Sequence, residues 1–317
     1  QVLVKKLSKI ERRVRLINRI GRYGLSSAIN EGCLNSTGEV IAIMDSDGQH
    51  EVKSVYEAID LLINGNCDLI IGSRFLEKSS TKGLSAKRKD GSSYANILAR
   101  NTLSKEYRHI TDYMSGCFVF KTISCMEEIK KIDVNGFKFL YELLALTKGK
   151  LKIKEIPLQF KSRKFGYSKL DIAVIWDFVI SLIHTFINRV IPRKAISFGV
   201  VGSIGVLVHL AMVYFLISIT SLSFIQVLPF AGVSAASSNF LINNMFTFRN
   251  KRLRGIGLFY GLLKFLMVSS IPLVANVGLA ASYYTFISPN TFISQMAGII
   301  VVFIWNYVAS SKFVWKE

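Results

Sequence analysis

The sequence predicts two unlike halves, an α/β sheet domain and then a four-helix membrane domain, joined by an amphipathic helix. Three observations carry that reading. The 317-residue chain combines a net charge of +19 with 50% hydrophobic residues, a combination out of keeping with one soluble domain. Its charge is unevenly placed: residues 1–194 hold 33 of the 40 basic and 20 of the 21 acidic residues, and no charged residue occurs from Ala195 to Phe248. The first part alternates helical and strand-like patterns, whereas the second is a series of long apolar runs. These features exclude an all-soluble protein, a disordered basic tail and a collagen-like or disulfide-framework chain.

In the first half, residues 1–10 read as the end of a helix and Val14–Asn18 as a strand. A Gly-rich turn, Gly21–Gly24, leads into a helix containing Ala28 and Ile29. Glu39–Met44 is a short apolar run ending in Asp45, the profile of a buried parallel strand. A helix over Val52–Ile63 and a strand over Asp68–Gly72 follow. In such α/β sheets ligands sit beyond the carboxyl ends of the strands.

The run Met44-Asp-Ser-Asp-Gly-Gln-His50 lies at such an end. Asp45 and Asp47 are two residues apart, with Gln49 two further on. Carboxylate and amide oxygens are hard ligands suited to Mg²⁺ or Mn²⁺, ions that usually also bind substrate phosphates. Asp-rich turns after strands are common, so placement and the third oxygen ligand carry the signal. The four cysteines, Cys33, Cys67, Cys117 and Cys125, show no CxxC or CxxH spacing and read as buried or free thiols of a reducing compartment. His50, His109, His184 and His209 share no spacing and read as structural.

Residues 171–194 form the connection. Ile172, Ile175, Trp176, Val179, Ile183, Phe186, Ile187 and Val190 fall on one helical face, with Asp177, Ser181, His184 and Asn188 opposite. A helix so divided, next to a membrane span, suits the membrane surface; a helix of the soluble core is the plainer alternative.

Four apolar stretches, 196–219, 223–248, 257–286 and 291–314, each exceed the roughly 20 residues that a span needs. Arg249, Lys251, Arg252 and Arg254 occupy the second loop, Arg189, Arg193 and Lys194 precede the first span, and Lys312 and Lys316 flank the last. The other two connections are uncharged, so the positive-inside rule puts both termini and the basic loop in the cytoplasm. An internal repeat runs through this half. At an offset of 67, Phe198, Val201, Ser203 and Ile204 recur as Phe265, Val268, Ser270 and Ile271, Asn239 as Asn306, Phe240 as Tyr307 and Phe246 as Phe313. Two similar helix hairpins are expected. Pro229, Pro272, Asn239, Asn243 and Asn244 lie at or within the spans, where polar groups either mark a substrate path or bond between helices.

Several motifs in order carry a family resemblance: GLSSA (24–28), TGEVIAIMDSDGQH (37–50), DLIIGSRF (68–75), Arg88 with Ser92, MSGCFVF (114–120), GFKFLYELL (136–144), IPLQF (156–160) and RKFGYSKL (163–170). The set resembles the inverting family 2 glycosyltransferases of the Rossmann-like GT-A fold, and among them the polyprenyl-phosphate (dolichyl-phosphate) mannose synthases. Residues 195–317 resemble the GtrA-type membrane domain, and 1–170 the glycosyltransferase domain. The resemblance implies transfer of a sugar, mannose from GDP-mannose in preference to glucose from UDP-glucose, to a polyprenyl or dolichyl phosphate in the bilayer. It implies that Asp47 and Gln49 hold Mg²⁺ or Mn²⁺, that Asp45 and Ser46 face the donor, and that Lys138, Arg163 and Lys169 lie near its diphosphate. It places the acceptor phosphate at Arg74, Arg88, Ser92 and Arg163, which makes Asp47, Arg74 and Arg163 the catalytic set. Around Arg88 the chain departs from the pattern, reading Lys-Asp-Gly at 89–91 where an apolar stretch is usual. Glu142 is a base by analogy or simply a helix-face glutamate.

Two other functions compete: a non-catalytic scaffold or translocation protein for lipid-linked sugars, and a basic nucleic-acid binder. The second lacks any recognition motif and leaves the spans unexplained. A GT-A domain also opens with a strand, helix and strand of roughly 30 residues or more. The chain starts at Gln1 in what reads as the following helix, so the sequence predicts a domain lacking that first β-α-β unit, weak in donor binding and inactive alone.

Overall fold

The computed structural model describes residues 2–19, 24–77, 79, 86–133, 138–159, 172–287 and 291–316. The chain divides into two compact units, Gln1–Asn188 and Arg189–Glu317.

The first unit is built on a mixed four-stranded sheet of β1 (Val40–Met44), β2 (Leu69–Ser73), β3 (Cys117–Lys121) and β4 (Ile153–Pro157), in the order β1-β3-β2-β4. β3 runs antiparallel to both neighbours, and β2 and β4 are parallel, with Ser73 opposite Pro157. Because β3 is reversed, its amino end at Cys117 lies beside Met44, the carboxyl end of β1. One end of the sheet therefore gathers the segments after β1 and β2 with the segment before β3.

Every residue of β2 is buried, as a strand covered on both faces must be. Its side chains alternate between two cores. Leu69 and Ile71 join Phe118, Phe120 and the helices α5 (Thr122–Ile129) and α6 (Phe139–Thr147). Ile70 joins Val119, Ile156 and, from α3 (Val52–Asn64), Ala58 and Leu62. Helices α1 (Val2–Ile10) and α2 (Leu25–Leu34) stand where helical patterns are predicted. Two expectations are corrected. Val14–Asn18 forms no strand, because an extended segment becomes one only by pairing and none of its backbone enters the ladders of the described sheet. β1 is antiparallel rather than parallel and only Ile41 on it is buried, since its partner is the reversed β3 and a short apolar run carries no information about direction.

Helix α7 (Ile172–Phe186) belongs to this unit and lies against α4 (Ala86–Thr102). Phe178 meets the Tyr141 ring edge-on at 5.8 Å, and Leu182 enters the sheet core. The polar residues Ser181 and His184 are buried, whereas Ile172, Ile175, Val179 and Phe186 are exposed. The amphipathic face is thus real and turned outward. On α4, Tyr94, Ile97 and Leu98 are exposed as well.

The second unit consists of α8 (Arg193–Ile219), α9 (Phe224–Ile242), α10 (Ile256–Phe286) and α11 (Thr291–Ala309). Among the described residues, Arg193–Ile219, Phe224–Thr247 and Ala297–Val314 are long and apolar enough to cross a membrane, and Ile256–Ile271 of α10 is apolar too. The repeat is visible in the backbone. α9 and α11 each end in a single π-helical turn, Asn243–Thr247 and Ser310–Val314, which are 67 residues apart. Each turn is closed by an equivalent bond, Phe248 N–H to Asn243 O at 2.8 Å and Trp315 N–H to Ser310 O at 3.2 Å.

Side chains obey the same relation. Phe198 meets Tyr307 at 5.7 Å, and its counterpart Phe265 meets Phe240 at 5.8 Å. Phe198 is T-shaped to Phe248 at 6.4 Å, and Phe265 to Trp315 at 5.8 Å. Phe248 and Trp315, counterparts themselves, stack at 4.1 Å with their planes 12° apart. A pseudo-twofold relation between two hairpins accounts for all five contacts.

Candidate active site

Asp45 follows β1, and its N–H donates to Gly116 O at 3.2 Å, extending the β1–β3 ladder by one bond. A Cβ at Gly116 would collide with the Asp45 carboxylate, so the glycine of MSGCFVF is a spatial requirement of that aspartate. His50 is buried with Nε2 3.8 Å from Asp45 Oδ2, which places one of the histidines read as structural at the edge of the site. Asp47 Oδ1 accepts the Gln49 N–H at 3.1 Å, a local turn that brings the two together. Gln49 is buried and Gly48 occupies a positive φ of 76°. Among the described residues no three His, Cys, Asp or Glu side chains form a metal cage. Asp47 and Gln49 do present the hard oxygen donors expected of an ion that takes its other ligands from a diphosphate.

Arg74, one residue after β2, is the electrostatic centre. Its Nε and Nη2 donate to Asp112 Oδ2 and Oδ1 at 2.7 and 2.9 Å, and Nη2 lies 3.4 Å from Ser92 Oγ. Asp112 is fully buried and also accepts the N–H groups of Arg74 and Met114 at 3.2 Å each. Burial alone would lower the Arg74 pKa, but the bonds to Asp112 and the charges of Asp112 and Asp45 raise it above its ordinary value. Arg74 therefore stays charged while held in one orientation. The forked edge expected to face a phosphate is occupied by Asp112.

Asp112 is itself anchored. Glu155 on β4 accepts the N–H groups of Thr111 and Asp112 at 2.9 to 3.1 Å, and the Thr111 hydroxyl at 3.0 Å. Ser73 Oγ shares a 2.6 Å bond with Thr111 Oγ1. Burial raises the Glu155 pKa, opposed by these donated bonds and assisted by the Asp112 charge. Ser115 Oγ ties Gly72 O to the start of β3 at 2.6 Å. The sequence reading missed Asp112 and Glu155. Asp112 stands two residues before the recognised MSGCFVF run, in a loop where an aspartate has no distinguishing signal, and Glu155 alternates along an ordinary strand.

The structure thus brings together Asp45, Arg74, Ser92 and the MSGC segment, with Ser46, Asp47 and Gln49 in the adjoining turn. Lys138 is half-buried at the amino end of α6. Glu142, on the same helix, is fully buried. Arg88 lies on α4 with its side chain outside the described residues, as are Arg163 and Lys169 altogether. All four cysteines are free and buried, and burial pushes the thiols of Cys33 and Cys117 up to about 11 and that of Cys125 to about 12, which disfavours their thiolates.

The family pattern for glycosyl transferase family 2 matches residues 1–127, and that for the GtrA/DPMS transmembrane domain matches 197–315. The dolichol-phosphate mannosyltransferase of Pyrococcus furiosus is 30% identical over 305 residues, 95% of this chain and 83% of that protein. The chain belongs to the dolichol-phosphate mannosyltransferase family. Eukaryotic members are similar over less of the chain. That of Mycosarcoma maydis is 32% identical over 199 residues (62% of this chain, 63% of its own), and that of Saccharomyces cerevisiae 28% over 193 (58% and 69%). Members of glycosyl transferase family 2 are glycosyltransferases, and so is this chain. Its GtrA/DPMS domain and apolar helices make it an integral membrane protein.

Proposed function

We propose that the protein transfers mannose from GDP-mannose to a polyprenyl or dolichyl phosphate, with inversion at the anomeric carbon, on the cytoplasmic face of the membrane. The observation that carries this reading is Arg74 held charged by Asp112, beside Ser92 and within the electrostatic reach of Asp45, which follows β1. Such a site has cationic and anionic sides, as transfer between two phosphorylated substrates requires.

The acceptor is a phosphate monoester with a second pKa near ~6, mostly dianionic at neutral pH, so it attacks without a protein base. Arg74, Arg88, Ser92 and Arg163 receive that phosphate; Arg74 offers it a fixed charge, not the edge taken by Asp112. Asp45 and Ser46 orient the sugar nucleotide, and Lys138, Arg163 and Lys169 steady its diphosphate. Mg²⁺ or Mn²⁺ held by Asp47 and Gln49 would offset the charge growing on the nucleoside diphosphate as it leaves. The outward apolar faces of α7 and α4, with residues 171–194 leading into the first of four spans, support a site held close to the bilayer surface. Both termini and the basic loop then lie in the cytoplasm.

The test is a donor screen on membranes containing the full-length gene product, using radiolabelled GDP-mannose and UDP-glucose and analysis of the extracted lipid. Label should enter polyprenyl phosphate from GDP-mannose and be lost in Asp47→Ala, with membrane insertion unchanged. Label from UDP-glucose alone would assign a glucosyltransferase. Transfer by Asp47→Ala at the normal rate with Mg²⁺ or Mn²⁺ present would remove the metal assignment.

A further inference from the structure

The connection between α9 and α10 contains a feature that charge placement alone does not explain. Leu241, Asn244, Met245, Arg252, Leu253, Arg254, Gly255 and Leu258 line an open surface cavity of about 340 Å³. Its shape follows from one amide. Asn244 Oδ1 accepts the Leu253 N–H at 2.8 Å, and its Nδ2 donates to Leu253 O at 3.1 Å, so a side chain pairs with both backbone groups of one residue as a neighbouring strand would. Trp315 Nε1 donates to the same Oδ1 at 3.1 Å and locks the amide into the aromatic core. Leu253 is thereby held extended and packs into that core, where Gly261 leaves room for it.

In an extended segment residues i and i+2 share a face. Arg252 and Arg254 both line the same pocket, and neither guanidinium has a hydrogen-bond or ion-pair partner among the described residues. The opposite walls, Leu241, Met245 and Leu258, are apolar and belong to the helices. Two unneutralised guanidinium groups above an apolar wall match one ligand chemistry, a phosphate carried on a hydrocarbon chain. The positive-inside tendency accounts for basic residues in this loop, but Arg249 and Lys251 satisfy it without lining the cavity.

We propose that this cavity is a binding site for an anionic bilayer phospholipid, with its phosphate between Arg252 and Arg254 and its chains along Leu241, Met245 and Leu258. A phospholipid is favoured over a free phosphate because half the lining residues are apolar, with Leu241 and Met245 exposed and Leu258 half-buried, and over the polyprenyl acceptor because phospholipid is the abundant phosphate-bearing lipid of a bilayer. The site lies wholly within the second unit and does not rest on the proposed reaction.

The probe is phosphatidylglycerol, with phosphatidylcholine as control, added to the delipidated full-length protein in mild detergent and followed by native mass spectrometry. The wild type should retain phosphatidylglycerol at least ~10-fold better than phosphatidylcholine, an effect of about 1.4 kcal/mol. The double variant R252Q/R254Q should lose that preference, and R249Q/K251Q, which removes the same charge from the same loop, should keep it. Thermal unfolding guards against a folding artefact: both variants should match the wild type without lipid, and only R252Q/R254Q should fail to gain Tm when phosphatidylglycerol is added. Equal retention by the two variants, high or low, overturns the site. Displacement of the phospholipid by an equal concentration of undecaprenyl phosphate overturns its assignment to bilayer lipid.

Discussion

The charged end of the sheet and the repeat-related amides of the second unit handle buried polar groups differently. At the end of the sheet, Arg74, Asp112, Thr111, Glu155 and Ser73 form a chain of charge-assisted bonds, each polar group meeting a partner 38 to 44 residues away. In the membrane unit, the side-chain oxygens of Asn239, Asn243, Asn306 and Ser310 are buried without a hydrogen-bond partner among the described residues. They fall into two pairs at the repeat offset, Asn239 with Asn306 and Asn243 with Ser310. Beside them stand stacked aromatic rings, the Asn244 amide with its three bonds, and a 2.7 Å bond between the Ser197 and Thr247 hydroxyls. Preorganised charge suits a site that must stabilise phosphates; neutral packing suits helices in lipid, where an ion is expensive.

The largest effect should come from breaking the charged chain. Asp112→Ala removes the carboxylate that accepts two bonds from the buried Arg74 guanidinium, a loss of about 3–5 kcal/mol in stability. Transfer should fall by roughly 10²-fold or more, as when one preorganised electrostatic group is removed. Asp112→Asn keeps an acceptor for the Met114 N–H and should recover stability before activity. Chemical denaturation with sugar-transfer assays separates the two, and wild-type transfer in Asp112→Ala would show that Arg74 needs no orientation.

Charge that builds a site should also differ from charge that sets topology. Arg163→Ala should reduce transfer far more than Arg249→Ala, whose position in the basic loop already has a topological reason. Equal losses, measured on membranes with matched protein amounts, would mean that general attraction to anionic lipid explains both.

These two experiments also mark what the sequence could and could not reveal. Long apolar runs and the 67-residue offset suffice for the membrane helices, because span length and repetition are local properties. Strand β2 is legible for the same reason, as an apolar run covered on both faces. Val14–Asn18 misleads because pairing is decided elsewhere in the chain, and β1 misleads about direction because its neighbour is β3. The turn that joins Asp47 to Gln49 is legible through their spacing. Asp112 and Glu155 are not, since the partnership 43 residues apart exists only after β4 aligns with β2.

Smaller effects should separate the saturated amide from the orphaned ones. Asn244→Ala removes both bonds to Leu253 and the acceptor of Trp315, with an expected loss of about 1–3 kcal/mol from the groups left unmet. Asn306→Leu removes an oxygen that has no partner among the described residues and should be neutral or stabilising. Thermal unfolding in detergent gives the comparison; a larger loss at Asn306 would show that its oxygen is met in the membrane.

The smallest effect concerns pH. The Glu155 carboxyl has a raised pKa in the folded protein, so its contribution to stability is full below the unfolded value near ~4.5 and declines as pH rises through the folded one. Relative to Glu155→Gln, the wild type should therefore lose Tm between pH 4 and pH 7. Parallel curves for the two proteins would place the burial effect elsewhere.

The stack of Trp315 on Phe248 gives the membrane unit an optical consequence. The chain has 3 tryptophans, and Trp315 alone sits where Phe240, Phe248 and Phe265 converge from α9, its π-turn exit and α10. An indole fixed among three rings has a strong, sign-definite near-ultraviolet dichroism and an emission shielded from water, and both vanish if the second hairpin separates from the first. With Trp176 and Trp305 replaced by phenylalanine, the remaining signal would time the moment at which the two hairpins come together as one domain.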